Sequence, residues 1–175
     1  MPTAGRSSNP ASARRLVPAS APAIFTFLSD LENQCLLAQE HTDLLRLDGP
    51  RGARHGAQLR VRAPLALGRK ARARIVARVE PSHLVTSVEL GRTVVRFGWT
   101  LTPLPASTGV ELTAEVASAG LLDRALLAAA GRRALARCLR TALDTLSEIV
   151  RVASAESGLD DARDCRVVLT RYTRR

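Results

Sequence analysis

From Gly56 to Val116 the chain alternates apolar and polar side chains with a period of two, and few folds accommodate so long a run. In LRVRAPL, Leu59, Val61, Ala63 and Leu65 alternate with Arg60 and Arg62. In ARARIVARV, Ala71, Ala73, Ile75, Ala77 and Val79 share one face, and Arg72, Arg74, Val76 and Arg78 the other. Leu84, Thr86, Val88 and Leu90 oppose Val85, Ser87 and Glu89. Val95, Phe97, Trp99 and Leu101 oppose Val94, Arg96, Gly98 and Thr100. Val110, Leu112, Ala114 and Val116 oppose Glu111, Thr113 and Glu115. Strands of this kind are half-buried and belong to an antiparallel sheet with one wet face.

The turns between them predict the register. Gly91-Arg92 has the Gly-X form of a two-residue type II′ hairpin, which pairs Leu90 with Thr93, Val88 with Val95, Thr86 with Phe97 and Leu84 with Trp99. A turn around Pro81-Ser82 places Val79 opposite Leu84, Ala77 opposite Thr86, Ile75 opposite Val88 and Arg74 opposite Glu89. A three-residue loop centred on Gly68 sets Ala63 against Ala73 and Val61 against Ile75, bringing Arg62 beside Arg74. The three turns agree on one inside, which defines a meander.

On either side of the meander the pattern is helical. Arg14–Val17 reads as a short strand. Ser20 is placed to cap a helix with Pro22 in its first turn and Ile24, Phe25, Phe27 and Leu28 on its apolar stripe. Leu31–Ala38 reads as a second short helix and His41–Leu47 as a strand, stopped by Asp48-Gly49-Pro50. After Gly120, Leu122, Leu126, Ala129, Leu135 or Ala136, Leu139, Leu143, Leu146 and Val150 form the stripe of a helix roughly 45 Å long. Gly131 interrupts it, as a bend or a close approach of backbone. Residues 1–12 are expected to be a disordered lead-in, 13–153 a single domain, and 154–175 a flexible tail.

Charge is unevenly distributed. The chain carries +10 overall, but residues 51–80 hold nine basic groups against Glu80 alone, whereas residues 16–50 are acidic. On the strand RKARARIVAR the alternation places Arg72, Arg74 and Arg78 outside, with Arg60 and Arg62 on the preceding strand. Glu89 offsets Arg74, and Arg96 can find Glu111 or Glu115. Like charges on adjacent strands otherwise call for an anion, a tail such as Asp160–Asp164, or a partner. An Arg face without aromatic side chains lacks the stacking platforms of single-stranded nucleic-acid binders.

The order of a strand, short helices, a long meander and one closing helix is an α+β helix-grip arrangement, a curved antiparallel sheet around a long C-terminal helix. In LVPASAPAIFTFLSDLEN, WTLTPLPASTGVELTAEV and LLDRALLAAAGRRALARCLRTALDTL the chain resembles the SRPBCC superfamily, START-like proteins, and within it the polyketide cyclase/dehydrase-like branch. The resemblance covers about residues 13–152. It implies a hydrophobic ligand held between sheet and helix. Some members cyclise or dehydrate polyketides, others carry lipids or isoprenoids, and a few act on ribosomes or as chaperone co-factors.

A cavity is also suggested by the residues themselves. Small side chains (Ala71, Ala73, Ala77) on the inner face of one strand oppose Ala125 and Ala128–Ala130 on the helix. The expected lining is Ala73, Ile75, Ala77, Leu84, Thr86, Val88, Phe97, Trp99, Leu112, Leu122, Leu126, Ala129 and Arg133. Thr86 is a hydrogen-bonding handle, and Arg133 or Arg140 could polarise a ligand carbonyl if turned inward.

Little else bears chemistry. Cys35, Cys138 and Cys165 suit neither a disulfide framework nor a CxxC site, and Cys138 is best placed as a core residue. His41, His55 and His83 are scattered, without HxH, HExxH or clustered carboxylates, so neither metal nor cofactor is expected. No G-x-S-x-G, Walker A or G-x-G-x-x-G motif occurs. With no signal-peptide core and no membrane-length apolar run, the expected location is the cytoplasm. Three readings stay open: a binder of a hydrophobic small molecule acting as carrier, sensor or accessory factor; a polyketide aromatase/cyclase or dehydratase; and a nucleic-acid or anionic-partner module using Arg60, Arg62, Arg72, Arg74 and Arg78.

Overall fold

The computed structural model describes residues 10–49, 55–62, 69–120 and 131–157. Seven strands form one antiparallel sheet. They are β1 (Ala11–Val17), β2 (Thr42–Asp48), β3 (Gly56–Val61), β4 (Lys70–Val79), β5 (His83–Leu90), β6 (Thr93–Leu104) and β7 (Ser107–Ser118). Their order across the sheet is β1-β7-β6-β5-β4-β3-β2, so β1 and β2 are the edges. Helices α1 (Ala21–Leu28) and α2 (Leu31–Leu37) lie between β1 and β2 in the chain, and α3 (Arg132–Ser157) follows the sheet. The helix-grip arrangement expected from the meander is the fold observed. Among the described residues no helix is long and apolar enough to cross a membrane.

Two element ends fall outside the expected boundaries. β1 begins at Ala11, inside the expected lead-in, because Ala11 and Ser12 pair with Ala114 and Thr113. α3 runs to Ser157, inside the expected tail. Residues 1–9 and 158–175 lie outside the described residues, as do Ala63, Leu65 and residues 121–130, among them Leu122, Leu126 and Ala129.

The short helices form for local reasons. Six of the eight residues of α1 are buried, and Pro22 enters its first turn at no hydrogen-bonding cost. Ser20 occupies the extended N-cap position, but its hydroxyl makes no capping bond. The Ser29 hydroxyl instead donates to the Phe25 carbonyl at 2.7 Å at the other end. α2 is capped by Asp30, whose carboxylate accepts from the Glu32 amide at 2.9 Å. The first strand is tied into the fold by the buried Thr108 hydroxyl, which donates to the Ala19 carbonyl at 2.6 Å, and by ion pairs of Arg14 with Glu111 and Arg15 with Asp144.

The β5–β6 hairpin has the predicted register throughout, with Leu84 on Trp99, Thr86 on Phe97 and Val88 on Val95. Gly91 supplies the positive φ, 63°, that a type II′ turn requires at its first central position. The β3–β4 pairing differs: Leu59 faces Ala71 and Ala57 faces Ala73, a longer connection than three residues. The shift is even, so the inward face is unchanged, but Arg74 now lies opposite Gly56 rather than beside Arg62.

β4 departs from its alternation at Val76. Ile75 pairs with Thr86 and Ala77 with Val85, so the strand carries a bulge there. Beyond the bulge every side chain changes sides. Ala77, expected in the cavity, is exposed on the outer face. Arg78, expected on the outer basic face, pairs with inward Leu84. Its guanidinium lies 5.6 Å from the centre of the Phe25 ring and donates to Ser29 Oγ at 3.1 Å. One extra residue thus converts an outer cation into a cation–π clamp on α1.

Candidate functional site

The inner face of the sheet is covered unequally. α3 lies chiefly along β1 and β7 and meets α2, while α2 covers β2, β3 and β4. Beneath the later turns of α3, Leu139, Leu143, Leu146 and Val150 pack with Ile24, Phe25, Leu84, Leu101 and Val110 into a continuous core. Beneath α2 and the start of α3 the packing is incomplete, and a partly open cavity of about 270 Å³ lies there.

Its walls come from four directions. α2 contributes Leu31, Gln34, Cys35 and Leu37, with Ala38 at its C-cap; Leu31, Gln34, Cys35 and Ala38 share one helical face at i, i+3, i+4 and i+7. The turn into β2 contributes His41 and Thr42. The sheet presents Leu59, Val61, Ala73, Thr86, Val88, Leu90, Thr93, Val95, Phe97, Trp99 and Leu112, and α3 presents Gly131, Ala134, Leu135, Cys138, Leu139 and Ala142. Gly131, where a bend or a close backbone approach was expected, is buried on this wall.

Of the expected lining, Ala73, Thr86, Val88, Phe97, Trp99 and Leu112 are on the walls. Ile75 and Leu84 are in the packed core beside it rather than at the cavity. Ala77 is excluded by the bulge. Arg133 and Arg140 are exposed. At about 100° per residue, Arg133 stands roughly 200° around the helix from Leu135, on the opposite side from the stripe that faces the sheet. Neither arginine is among the described lining residues. Cys138, read as core, lines it instead. The α2 face was missed altogether, although the spacing of Leu31, Gln34, Cys35 and Ala38 signals it: one amide among apolar neighbours on a short helix.

The polar atoms on the walls fall into two groups. Thr86 Oγ1 donates to Gln34 Oε1 at 2.8 Å, and Gln34 Nε2 donates to the Leu28 carbonyl at 2.6 Å. This chain of bonds ties β5 to the helical corner and occupies both side chains. By contrast, His41 Nε2 and Trp99 Nε1 are buried and have no hydrogen-bond partner among the described residues. No Asp, Glu, Lys or Arg is among the described lining residues. Burial pushes the Cys35 thiol up to about 12, with Asp30 and Glu32 adding to the shift. Burial also raises the Cys138 thiol. Both remain protonated at neutral pH, which makes them apolar wall rather than nucleophiles.

On the opposite face of the sheet Arg60, Arg62, Arg72 and Arg74 are exposed. They are not equivalent. Arg62 forms an ion pair with Asp43 on β2. Glu89 stands opposite Arg72 rather than Arg74, and Arg96 opposite Glu115. The repulsion expected between Arg62 and Arg74 does not arise.

A curved sheet gripping a long helix over an apolar cavity is the helix-grip fold of SRPBCC-type proteins. Residues 11–151 match the model of the family described as polyketide cyclase / dehydrase and lipid transport, and the chain belongs to that family. No curated protein matches the sequence. Among solved structures, the protein TTHA0849 from Thermus thermophilus superimposes with a TM-score of 0.64 at 22% identity, over 83% of this chain and 99% of that one. A START superfamily protein from Mycobacterium smegmatis gives 0.55 at 19% identity, over 78% and 95%. DR_A0006 from Deinococcus radiodurans gives 0.56 at 17%, over 86% and 100%. At these identities the likeness is one of fold.

Proposed function

We propose that this protein binds a hydrophobic small molecule, of lipid, isoprenoid or polyketide type, in the cavity between α2, the sheet and the start of α3, and acts as a carrier, sensor or accessory factor. The observation that carries this reading is the cavity itself: about 270 Å³ of space walled almost wholly by apolar side chains. Ligand sites are usually apolar hollows of about 300–1,000 Å³, and this one falls just below that range. Family membership supports the same reading. Native mass spectrometry of gently purified protein, incubated with lipid and polyketide extracts, is expected to show a bound apolar species. Persistent absence of adducts, together with no uptake of the neutral dye Nile red, would overturn it.

Binding without turnover is favoured over a cyclase or dehydratase by the state of the polar groups. Thr86 and Gln34 are engaged with each other, Arg133 is outside, and both cavity thiols are protonated. A general acid or base needs a titratable group within reach of the reacting atom, and His41 is the single side chain on the described walls suited to the role. The exposed arginines give the anionic-partner reading less support, because Arg62 has a carboxylate partner and no aromatic side chain accompanies the others.

A further inference from the structure

Trp99 is 4% exposed, yet its indole N–H has no acceptor among the described residues. It stands on β6 between inward Leu84 and Leu112, on the wall of an otherwise apolar cavity. An indole nitrogen donates and never accepts, and a buried donor left unpaired is costly. Phenylalanine would fill nearly the same space without that cost. Every other buried side-chain hydroxyl discussed above has a protein acceptor: Thr86 finds Gln34, Thr108 finds Ala19 and Ser29 finds Phe25. No Asp, Glu, Lys or Arg is among the described lining residues, so an ionised ligand group buried against them would find no fixed counter-charge, which sets the second condition.

We infer that the ligand is neutral, mainly apolar, and carries an oxygen acceptor (a carbonyl, hydroxyl or ether) that receives a hydrogen bond from Trp99 Nε1. The inference rests on the binding function proposed above and narrows it, by excluding pure hydrocarbons as preferred ligands and any molecule whose charge must enter the cavity. His41 Nε2, buried and likewise unpartnered among the described residues, gives a second polar point from the turn before β2, able to donate or accept according to tautomer.

The chain contains one tryptophan, so its indole N–H gives one unambiguous nitrogen–proton NMR signal. Two small bicyclic probes, 1-tetralone and tetralin, differ by a single carbonyl oxygen. Titrating the full chain, tetralone is expected to move the indole proton downfield, as a new hydrogen bond does, while tetralin moves it little. In Trp99→Phe, the affinity ratio of tetralone to tetralin is expected to fall about tenfold, the worth of one buried hydrogen bond. If both probes bind but shift the indole signal alike and the ratio survives the substitution, the hydrogen bond is overturned and the cavity reading stands. If neither probe binds, the cavity reading fails and this inference with it. Should Trp99→Phe not fold, the NMR comparison on the unaltered chain decides the matter.

Discussion

The two halves of the inner face are built from the same sheet and differ in what lies across from it. Under the later turns of α3, leucine and valine meet leucine, phenylalanine and isoleucine, and the space is filled. Under α2 and the start of α3, Cys35, Ala134 and Cys138 stand across from Ala73, Thr86 and Val88 among larger apolar side chains, and the space is not filled. The contrast shows that a hollow needs no special architecture. It needs a few small side chains, such as Ala73 and Ala134, set among larger ones at one end of a sheet whose other end is packed tightly enough to hold the fold.

Substitutions on the two sides should therefore behave differently. The largest effect is expected from Leu146→Ala, fully buried in the packed half, which should cost about 2–5 kcal/mol in urea denaturation. Next comes a matched pair. Ala114→Leu, in the packed half, should cost about 1–3 kcal/mol through overcrowding. Ala73→Leu, whose added methylenes enter the cavity, should cost less than ~1 kcal/mol while reducing Nile red uptake by about tenfold or more. Equal losses of stability would erase the distinction between the halves.

Thr86→Val tests the beam across the hollow side. It leaves Gln34 Oε1 without its donor, and about 1 kcal/mol of stability should be lost, much of it recovered in Thr86→Val/Gln34→Leu. The smallest effect concerns the rim. The hydrogen bond from Arg62 holds the Asp43 carboxyl below its ordinary value. A carboxyl depressed in the folded state binds fewer protons there than when unfolded. Its contribution is thus complete above the ordinary carboxylate pKa of about 4 and lost as pH falls through the lower folded value. The stability gap between the natural chain and Asp43→Asn should accordingly be visible at pH 7, small because the pair is exposed, and close on acidification.

How much of this was legible depends on how many independent signals fixed each element. The β5–β6 hairpin was read without error because Gly91 dictates the turn and bulky residues mark one face on both sides. β4 was misread past Ile75 because Ala77 and Val79 tolerate either face and nothing in their side chains announces a bulge. The even shift between β3 and β4 hid for a related reason, since it leaves the inward set unaltered. Arg133 was misplaced by extending the phase of Leu122 and Leu126 across Gly131. The fold survived these errors because its evidence was distributed over many residues. The site suffered more, since Gln34 and His41 became wall residues only through the placing of α2 over the sheet.

The strand synthesised first completes the sheet by lying against the one synthesised last: Ala11 is aligned with Ala114. About a hundred residues must leave the ribosome before that edge has a partner, several seconds or more at ~5–20 residues per second. During that interval β1 lacks its native partner, and α3, which rests on it, follows both in the chain. Closure of this edge is therefore a late event in assembly, and tethering or blocking β1 should delay maturation more than any comparable change at the hairpins.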